Sequence, residues 1–469
     1  MQQLYESKSQ GFSWSSLGSG IGWKNGLFYM ALIVLLLLYA WLQQPIYLKA
    51  GIGIMILYVA VSHVYANFYL LLFLLPSLPL FVTEESNFSL ATVLYLAALA
   101  KHIVARASKM RLHRIGLVMV LLLIAYEFTH LYGYSSSLLI PTIRWGALLL
   151  YAALMIIDLN IKLSFKTAVH AFVAGIVLSS LFGYVMEWGN PAAAIGYTRF
   201  EGAGGDPNGF GMLILMAVFF LLHLYKQSSS RYIYIVLAIG LAILGLTTLS
   251  RAYFLTAGIT LGILLVYMLF TRHHILLKLR KRLLLLIVTV GALFAVPIGS
   301  LIQSTLARMS VGETLQDLTG QRSFLLMKYW EGFMSSSLSE MLWGHGVIGY
   351  LADSGVAIRG VLTGPHNTYV ESLVAWGWLG SFLLAVVVLV LAYCVRLKFK
   401  VRAAPGFIAW LPILSTFIFL LSLQSLAKYN TYFFMVMLLM NLYYRGEEQP
   451  EDEEYVEKNM TVSRYEHEK

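Results

Sequence analysis

Between Gly26 and Tyr444 the chain is a succession of apolar runs, many about 20 residues long, joined by connections that hold most of its charge. A helix of that length crosses the hydrocarbon core of a bilayer, where backbone polar groups can be satisfied only within helices or closed barrels. Candidate spans fall approximately at 26–42, 46–62, 64–82, 88–105, 114–131, 136–158, 165–187, 208–226, 231–248, 252–271, 282–300, 366–394, 405–422 and 427–444. Only His63 and its neighbours separate the second from the third, and Pro76 and Pro79 could instead bend one long segment. The expected fold is therefore all-α. It is a polytopic transmembrane helical bundle of about 12–14 spans, with one large, partly helical extracytoplasmic loop. Composition agrees: 59% of the 469 residues are hydrophobic and 12% charged, against roughly 25% charged in soluble domains, and the mean hydropathy is +0.74.

Charge placement orients the spans. Basic residues cluster at 101–114 (Lys101, Arg106, Lys109, Arg111, Arg114), at 272–282 and at 396–402, with smaller pairs at Lys162/Lys166 and Lys226/Arg231. If the spans alternate, all of these share one side with both termini, and the positive-inside bias makes that side cytoplasmic. The same bias accounts for the net charge of +10 without a nucleic-acid partner. Cys394 is the sole cysteine, which excludes an intrachain disulfide and a cysteine metal cluster. The first apolar run lacks a small-residue cleavage site and reads as a retained helix. The expected organisation is a cytoplasmic segment 1–25, helices 1–11 in 26–300, the outer loop 301–365, three more helices in 366–444, and an acidic, solvated cytoplasmic tail 445–469.

Three polar stretches then remain outside: 188–208, the turn at Ser250-Arg251, and the long connection ending in Gly364-Pro365-His366-Asn367-Thr368. Long connections inside compact proteins are commonly functional. Each stretch ends where a helix begins. Asp206-Pro207 has the form of an N-cap followed by proline at N1, Ser250 can cap a helix opening with Arg251, and Thr368 with Glu371 fits a capping box. Three helix N-termini, with unpaired N–H groups and partial positive charge, are suited to phosphate. Arg199, Arg251 and Arg322 would add forked guanidinium donors matched to phosphate oxygens.

Each residue has a plainer reading as well. Arg251 can snorkel to the interface, Asp206 and Glu371 can be helix caps only, and His366 can hydrogen-bond a helix end. His345 and His366 do not make a zinc site by spacing. The Gly-rich run at 202–205 lacks the lysine and preceding strand of a nucleotide loop.

Four motifs in order resemble the O-antigen ligase and O-antigen polymerase superfamily of bacterial membrane glycosyltransferases. They are Gly205-Asp206-Pro207-Asn208 with the following Gly-Phe-Gly, and Leu249-Ser250-Arg251-Ala252. The third runs from Gly320-Gln321-Arg322 through Trp330 to Gly344-His345-Gly346, and the fourth is Pro365-His366-Asn367-Thr368-Tyr369 with Leu373 and Gly377–Gly380. The resemblance covers about 188–395 and carries little signal in the first seven spans. It implies a metal-independent enzyme without cofactor. Such an enzyme would move a saccharide from undecaprenyl diphosphate to a glycan acceptor hydroxyl at the outer face of the bacterial cytoplasmic membrane. It also implies that Arg199, Arg251 and Arg322 hold the diphosphate, that Asn208 and Asn367 donate to phosphate or sugar, and that His366 acts with Arg251 in catalysis, as base or orienting group. Polymerisation of a cell-surface polysaccharide, with other polysaccharide assembly proteins as partners, is the leading expectation. Its alternatives are ligation of a finished glycan to a final acceptor, and a lipid-linked oligosaccharide flippase.

Overall fold

The computed structural model describes residues 23–81, 90–131, 138–188, 199–203, 205–227, 231–270, 322–351, 355–358, 361–401, 405–423, 426 and 430–444. These residues are almost wholly helical. In chain order the α-helices are α1 (Trp23–Leu42), α2 (Pro45–Val61), α3 (Val64–Leu74), α4 (Leu90–Arg106), α5 (Arg114–Thr129), α6 (Leu139–Ile157), α7 (Phe165–Trp188), α8 (Pro207–Gln227), α9 (Arg231–Thr247) and α10 (Arg251–Phe270). They continue with α11 (Arg322–Ser335), α12 (Leu338–Trp343), the antiparallel hairpin β1 (Val356–Ile358) and β2 (Val361–Thr363), α13 (Thr368–Lys398), α14 (Phe407–Leu420) and α15 (Asn430–Tyr443). The eleventh expected span, the 301–321 part of the outer loop and both terminal segments lie outside the described residues.

Among the described residues, four helices are long and apolar enough to cross a membrane: Leu139–Ile157, Phe165–Met186, Pro207–Lys226 and Thr368–Lys398. Seven shorter apolar helices accompany them. Large apolar side chains point out of the protein along the helices, among them Val118 and Leu122 of α5 and Phe382 and Leu389 of α13. The second and third expected spans are separate helices, broken at Ser62-His63. The Lys101 ammonium donates to the carbonyls of Val59 (2.7 Å), Ala60 (2.9 Å) and Ser62, which closes the end of α2. Pro76 and Pro79 fall in a 3₁₀ turn (Leu75–Phe81) at the foot of α3, where proline removes no α-helical hydrogen bond that the element needs.

The helices share one continuous apolar core. α8 packs on α9, α7 and α14; α10 packs on α14; α13 packs on α5, α6, α11 and α12. A polar knot closes the α13 C-terminal end. There the Lys398 ammonium donates to the carbonyls of Met155 (2.5 Å) and Asp158 (3.0 Å), and Arg106 Nε donates to Asp158 Oδ2 at 2.7 Å.

α13 is kinked at Gly377 (φ 59°, ψ −168°). A kink frees carbonyls of the preceding turn, and the chain just after α12 supplies their partners. His345 N (3.0 Å) and Gly346 N (2.6 Å) both donate to Ala375 O. A Cβ on Gly377 would strike Leu342 O, and one on Gly344 (φ 79°) would strike Ala375 O. The two glycines therefore let the chain after α12 lie against the α13 backbone.

Candidate functional site

Four helices begin around one cavity of about 710 Å³. Its wall includes Asn208 near the start of α8, Arg251 at the start of α10, Arg322 at the start of α11, and His366-Asn367 just before α13. Arg199 and the apolar side chains of Leu255, Ile259, Leu326 and Ile418 complete much of it. Six residues singled out in the sequence (Arg199, Asn208, Arg251, Arg322, His366 and Asn367) thus share one space, although 168 positions separate the first from the last. Among the described residues, no aspartate or glutamate lines the cavity.

Local hydrogen bonds account for the placement. Asp206 stands immediately before Pro207, and its Oδ1 accepts from Asn208 N at 3.0 Å. Asn208 Oδ1 in turn accepts from Arg199 Nη2 (2.9 Å) and from the Ser250 hydroxyl (2.8 Å). Because a guanidinium only donates, this fixes the carbonyl end of the Asn208 amide. Ser250 Oγ also accepts from Tyr253 N at 3.2 Å and so caps α10. One asparagine therefore ties Arg199 and the starts of α8 and α10 together.

At α13 the cap is Asn367. Its side-chain oxygen accepts from Tyr369 N (3.0 Å) and Val370 N (3.1 Å), and its amide nitrogen donates to Leu421 O at 3.2 Å. The capping box expected of Thr368 and Glu371 is corrected by this arrangement. With Asn367 at the N-cap, Glu371 is the fourth helical residue, one beyond the capping-box position. Thr368 Oγ1 donates instead to Leu423 O at 2.6 Å. The Glu371 carboxylate is fully buried and accepts from the Tyr350 hydroxyl (3.3 Å) and Leu426 N (3.2 Å). Asn367, too, is first a cap and a clamp to the α14 end. Caps also occupy first-turn N–H groups of α8, α10 and α13, so these ends act on the cavity more through their dipoles than as unpaired donors.

The charges around the cavity would suit an anion. Burial, and then the nearby positive charge of Arg251, pushes the Arg322 guanidinium down from its ordinary value, while Asp206 pulls the other way. Guanidinium remains protonated in proteins, so the shift expresses cations crowded in a partly desolvated space. An anion placed between them reverses that penalty. Glu201, in the segment beside Arg199, is pushed up by burial and by Asp206, against the pull of Arg199.

Two wall residues also carry unusual backbone. Leu249 (φ 47°) and His366 (φ 48°) are two of the four non-glycine residues with positive φ among the described residues. Each stands just before a helix start. Such conformations persist where surrounding structure over-determines them.

Residues the motif reading did not single out hold the chain between α11 and α13 in place. Glu127 of α5, 2% exposed, accepts from Val347 N (3.0 Å), Ile348 N (3.3 Å) and Trp376 Nε1 (2.6 Å). The Tyr126 hydroxyl faces Trp343 O at 2.6 Å and Trp376 O at 2.8 Å. Tyr329 of α11 donates to Thr363 O (2.6 Å) and accepts from Val356 N (3.2 Å). It thereby couples the helix that opens with Arg322 to the strand leading into His366. A lone glutamate in an apolar span was the available signal for Glu127; nothing local marks Tyr329.

Searches of protein-family models and of curated proteins return no match to the chain.

Proposed function

We propose that the chain is a polytopic glycosyltransferase of the bacterial cytoplasmic membrane, similar to the O-antigen polymerases and ligases. It moves a saccharide from undecaprenyl diphosphate to a sugar hydroxyl on the outer face, and polymerises a cell-surface polysaccharide. The observation that carries this reading is the convergence of Arg199, Arg251, Arg322 and His366 on one cavity with no acidic residue among its described wall residues.

Three guanidinium groups and the positive ends of helices suit a diphosphate diester in charge and hydrogen-bond geometry. The acceptor oxygen bonds to the anomeric carbon as the bond from that carbon to the diphosphate oxygen breaks. The electron pair stays with the departing lipid diphosphate, where the arginines stabilise it, and His366 takes the acceptor proton. Backside attack inverts the anomeric centre. Asn208, with its carbonyl end engaged, offers its NH₂ end to phosphate or sugar.

The membrane placement is supported by the four long apolar helices and by the separation of cavity and basic end along α13. That helix has 31 residues, roughly 45 Å at 1.5 Å per residue. Lys101, Arg106 and Lys398 gather at the far end, which the positive-inside rule makes cytoplasmic, together with both termini.

The test is turnover in proteoliposomes holding the purified chain and an undecaprenyl-diphosphate-linked repeat unit. Release of undecaprenyl diphosphate with chains of growing length supports polymerisation. Release with single transfer to a separate acceptor identifies a ligase, and transbilayer movement without release identifies a flippase. In cells, loss of a polymerase leaves single repeat units, whereas loss of a ligase accumulates long lipid-linked chains.

A further inference from the structure

The outer helix α11 has three distinct faces. Leu325, Tyr329 and Phe333 are buried at spacings of four and face the body of the protein. Lys328 and Glu331 form an exposed ion pair at 3.5 Å on another face. Between the buried face and the charged one runs a third, made of Met327, Trp330 and Met334, with relative exposures of 60%, 43% and 53%. At roughly 100° per residue this stripe lies beside Leu326, which lines the cavity together with Arg322 at the helix start.

A soluble helix exposed to water on two sides has no reason to divide those sides into one apolar and one charged face. The division is what a helix lying in a membrane interface needs. The apolar stripe also joins a surface that faces lipid under the membrane placement proposed above. Phe333 meets Trp378 of α13 edge-on, with ring centroids 6.2 Å apart. From Trp378 (51% exposed) the outward face of α13 continues through Phe382 (70%) to Leu389 (70%). Trp330 and Trp378 bring the amphipathic rings enriched at the headgroup level. On the chain's other side of α11, Leu338 of α12 is 73% exposed.

We infer that α11 lies in the outer-leaflet interface, its Met327-Trp330-Met334 face in lipid and its Lys328-Glu331 face in water, and that it forms the bilayer-side wall of the cavity. The occupant of the apolar face is the bilayer itself. The inference rests on the membrane placement above and adds to it a consequence for the substrate: Arg322 is held at headgroup depth, so a lipid diphosphate meets it without leaving the membrane.

Nitroxide labels measure this directly. Single cysteines are placed by Met327→Cys, Trp330→Cys and Met334→Cys, and on the charged face by Lys328→Cys and Glu331→Cys, each in a Cys394→Ala background. The full chain is reconstituted in phosphatidylethanolamine–phosphatidylglycerol vesicles, and collision with oxygen is compared with collision with a water-soluble nickel chelate. Labels at 327, 330 and 334 are expected to favour oxygen, and those at 328 and 331 to favour nickel. Nickel access equal on both faces overturns the inference, as does shielding of 327, 330 and 334 from both reagents, which would mean that protein covers them. Depth is read without turnover. Labels in lipid with no transfer activity would therefore remove only the glycosyltransferase reading, and labels in water with normal transfer would remove only this one.

Discussion

Arg251→Ala separates electrostatic stabilisation of the leaving group from proton transfer. Arg251 opens α10, its backbone is set by the Ser250 cap, and its charge is felt at Arg322. Losing one preorganised charge-stabilising group costs about 10²–10³ in rate, ~2.7–4 kcal/mol. Removing Arg251 also relieves repulsion with Arg322 in the unliganded site, which softens the loss of donor binding. The deficit should therefore fall mainly on kcat, because charge on the diphosphate grows as its bond to the sugar breaks. His366→Ala removes a base worth about 10²–10⁴. In a transition state with oxocarbenium character the leaving bond is far broken before the acceptor loses its proton, which places His366 at the low end. Arg251→Ala is expected to lower turnover more than His366→Ala, with Arg251→Lys between Arg251→Ala and the parent, since lysine keeps the charge without the fork. Initial rates in proteoliposomes, at matched protein and melting temperature, measure all three. An Arg251→Ala rate within about tenfold of the parent, a barrier change of only 1.36 kcal/mol, would refute the reasoning, as would a larger loss from His366→Ala.

Glu127→Ala leaves Val347 N, Ile348 N and Trp376 Nε1 without their acceptor, at about 1–3 kcal/mol for each buried group; thermal unfolding should show a large loss, and Glu127→Gln, which retains one oxygen, a smaller one. Gly377→Ala forces a Cβ into a positive-φ, extended-ψ conformation open essentially to glycine alone, about 1–3 kcal/mol, and against Leu342 O, so the melting temperature should fall and protease should cut more readily near Trp343. Asn208→Ala removes the acceptor shared by Arg199 and Ser250; hydrogen bonds to charged groups contribute about 1.5–3 kcal/mol, and pyrophosphate affinity should drop while the helical circular dichroism stays unchanged. Glu201 holds its proton above the ordinary value of 4.5, so the stabilisation of its protonated form is complete below 4.5 and is lost as pH rises through the raised value. Pyrophosphate should accordingly bind more tightly as pH falls through that window, and Glu201→Gln should flatten the profile and tighten binding at pH 7.

Helix positions were legible because each run of apolar residues must satisfy its own backbone. The expected boundaries lie within a few residues of α4 to α10, and the starts of α8 and α10 follow from Asp206-Pro207 and Ser250-Arg251. The start of α13 was misread by one position, since Asn367 and Thr368 are both good caps and only the pull of Leu421 O and Leu423 O on their side chains decides between them. The pinning of the outer chain was not legible. Glu127 meets Val347 across 220 positions, and no local pattern encodes a contact of that range. Gly344 and Gly377 were visible as glycines, but that one backbone wedges against the other is a property of the folded pair.

These long-range contacts bear on how the cavity keeps its shape. Three of its cations come from separate stretches of chain, and their mutual repulsion works to spread them apart when no anion is present. Arg199 is restrained by Asn208, and Arg251 by the cap that the same asparagine engages. Arg322 has no such local tie to that pair; its helix is held through Tyr329 to Thr363 and Val356, and the outer chain is held through Tyr350 to Glu371 and through Val347 to Glu127. The anchoring carboxylates of Glu371 and Glu127 are thus buried away from the described wall of the cavity. Negative charge in the wall would neutralise the arginines and compete with a phosphate for them. Placed on backbone N–H groups and hydroxyls away from the wall, the same carboxylates fix the frame and leave the positive field to the ligand.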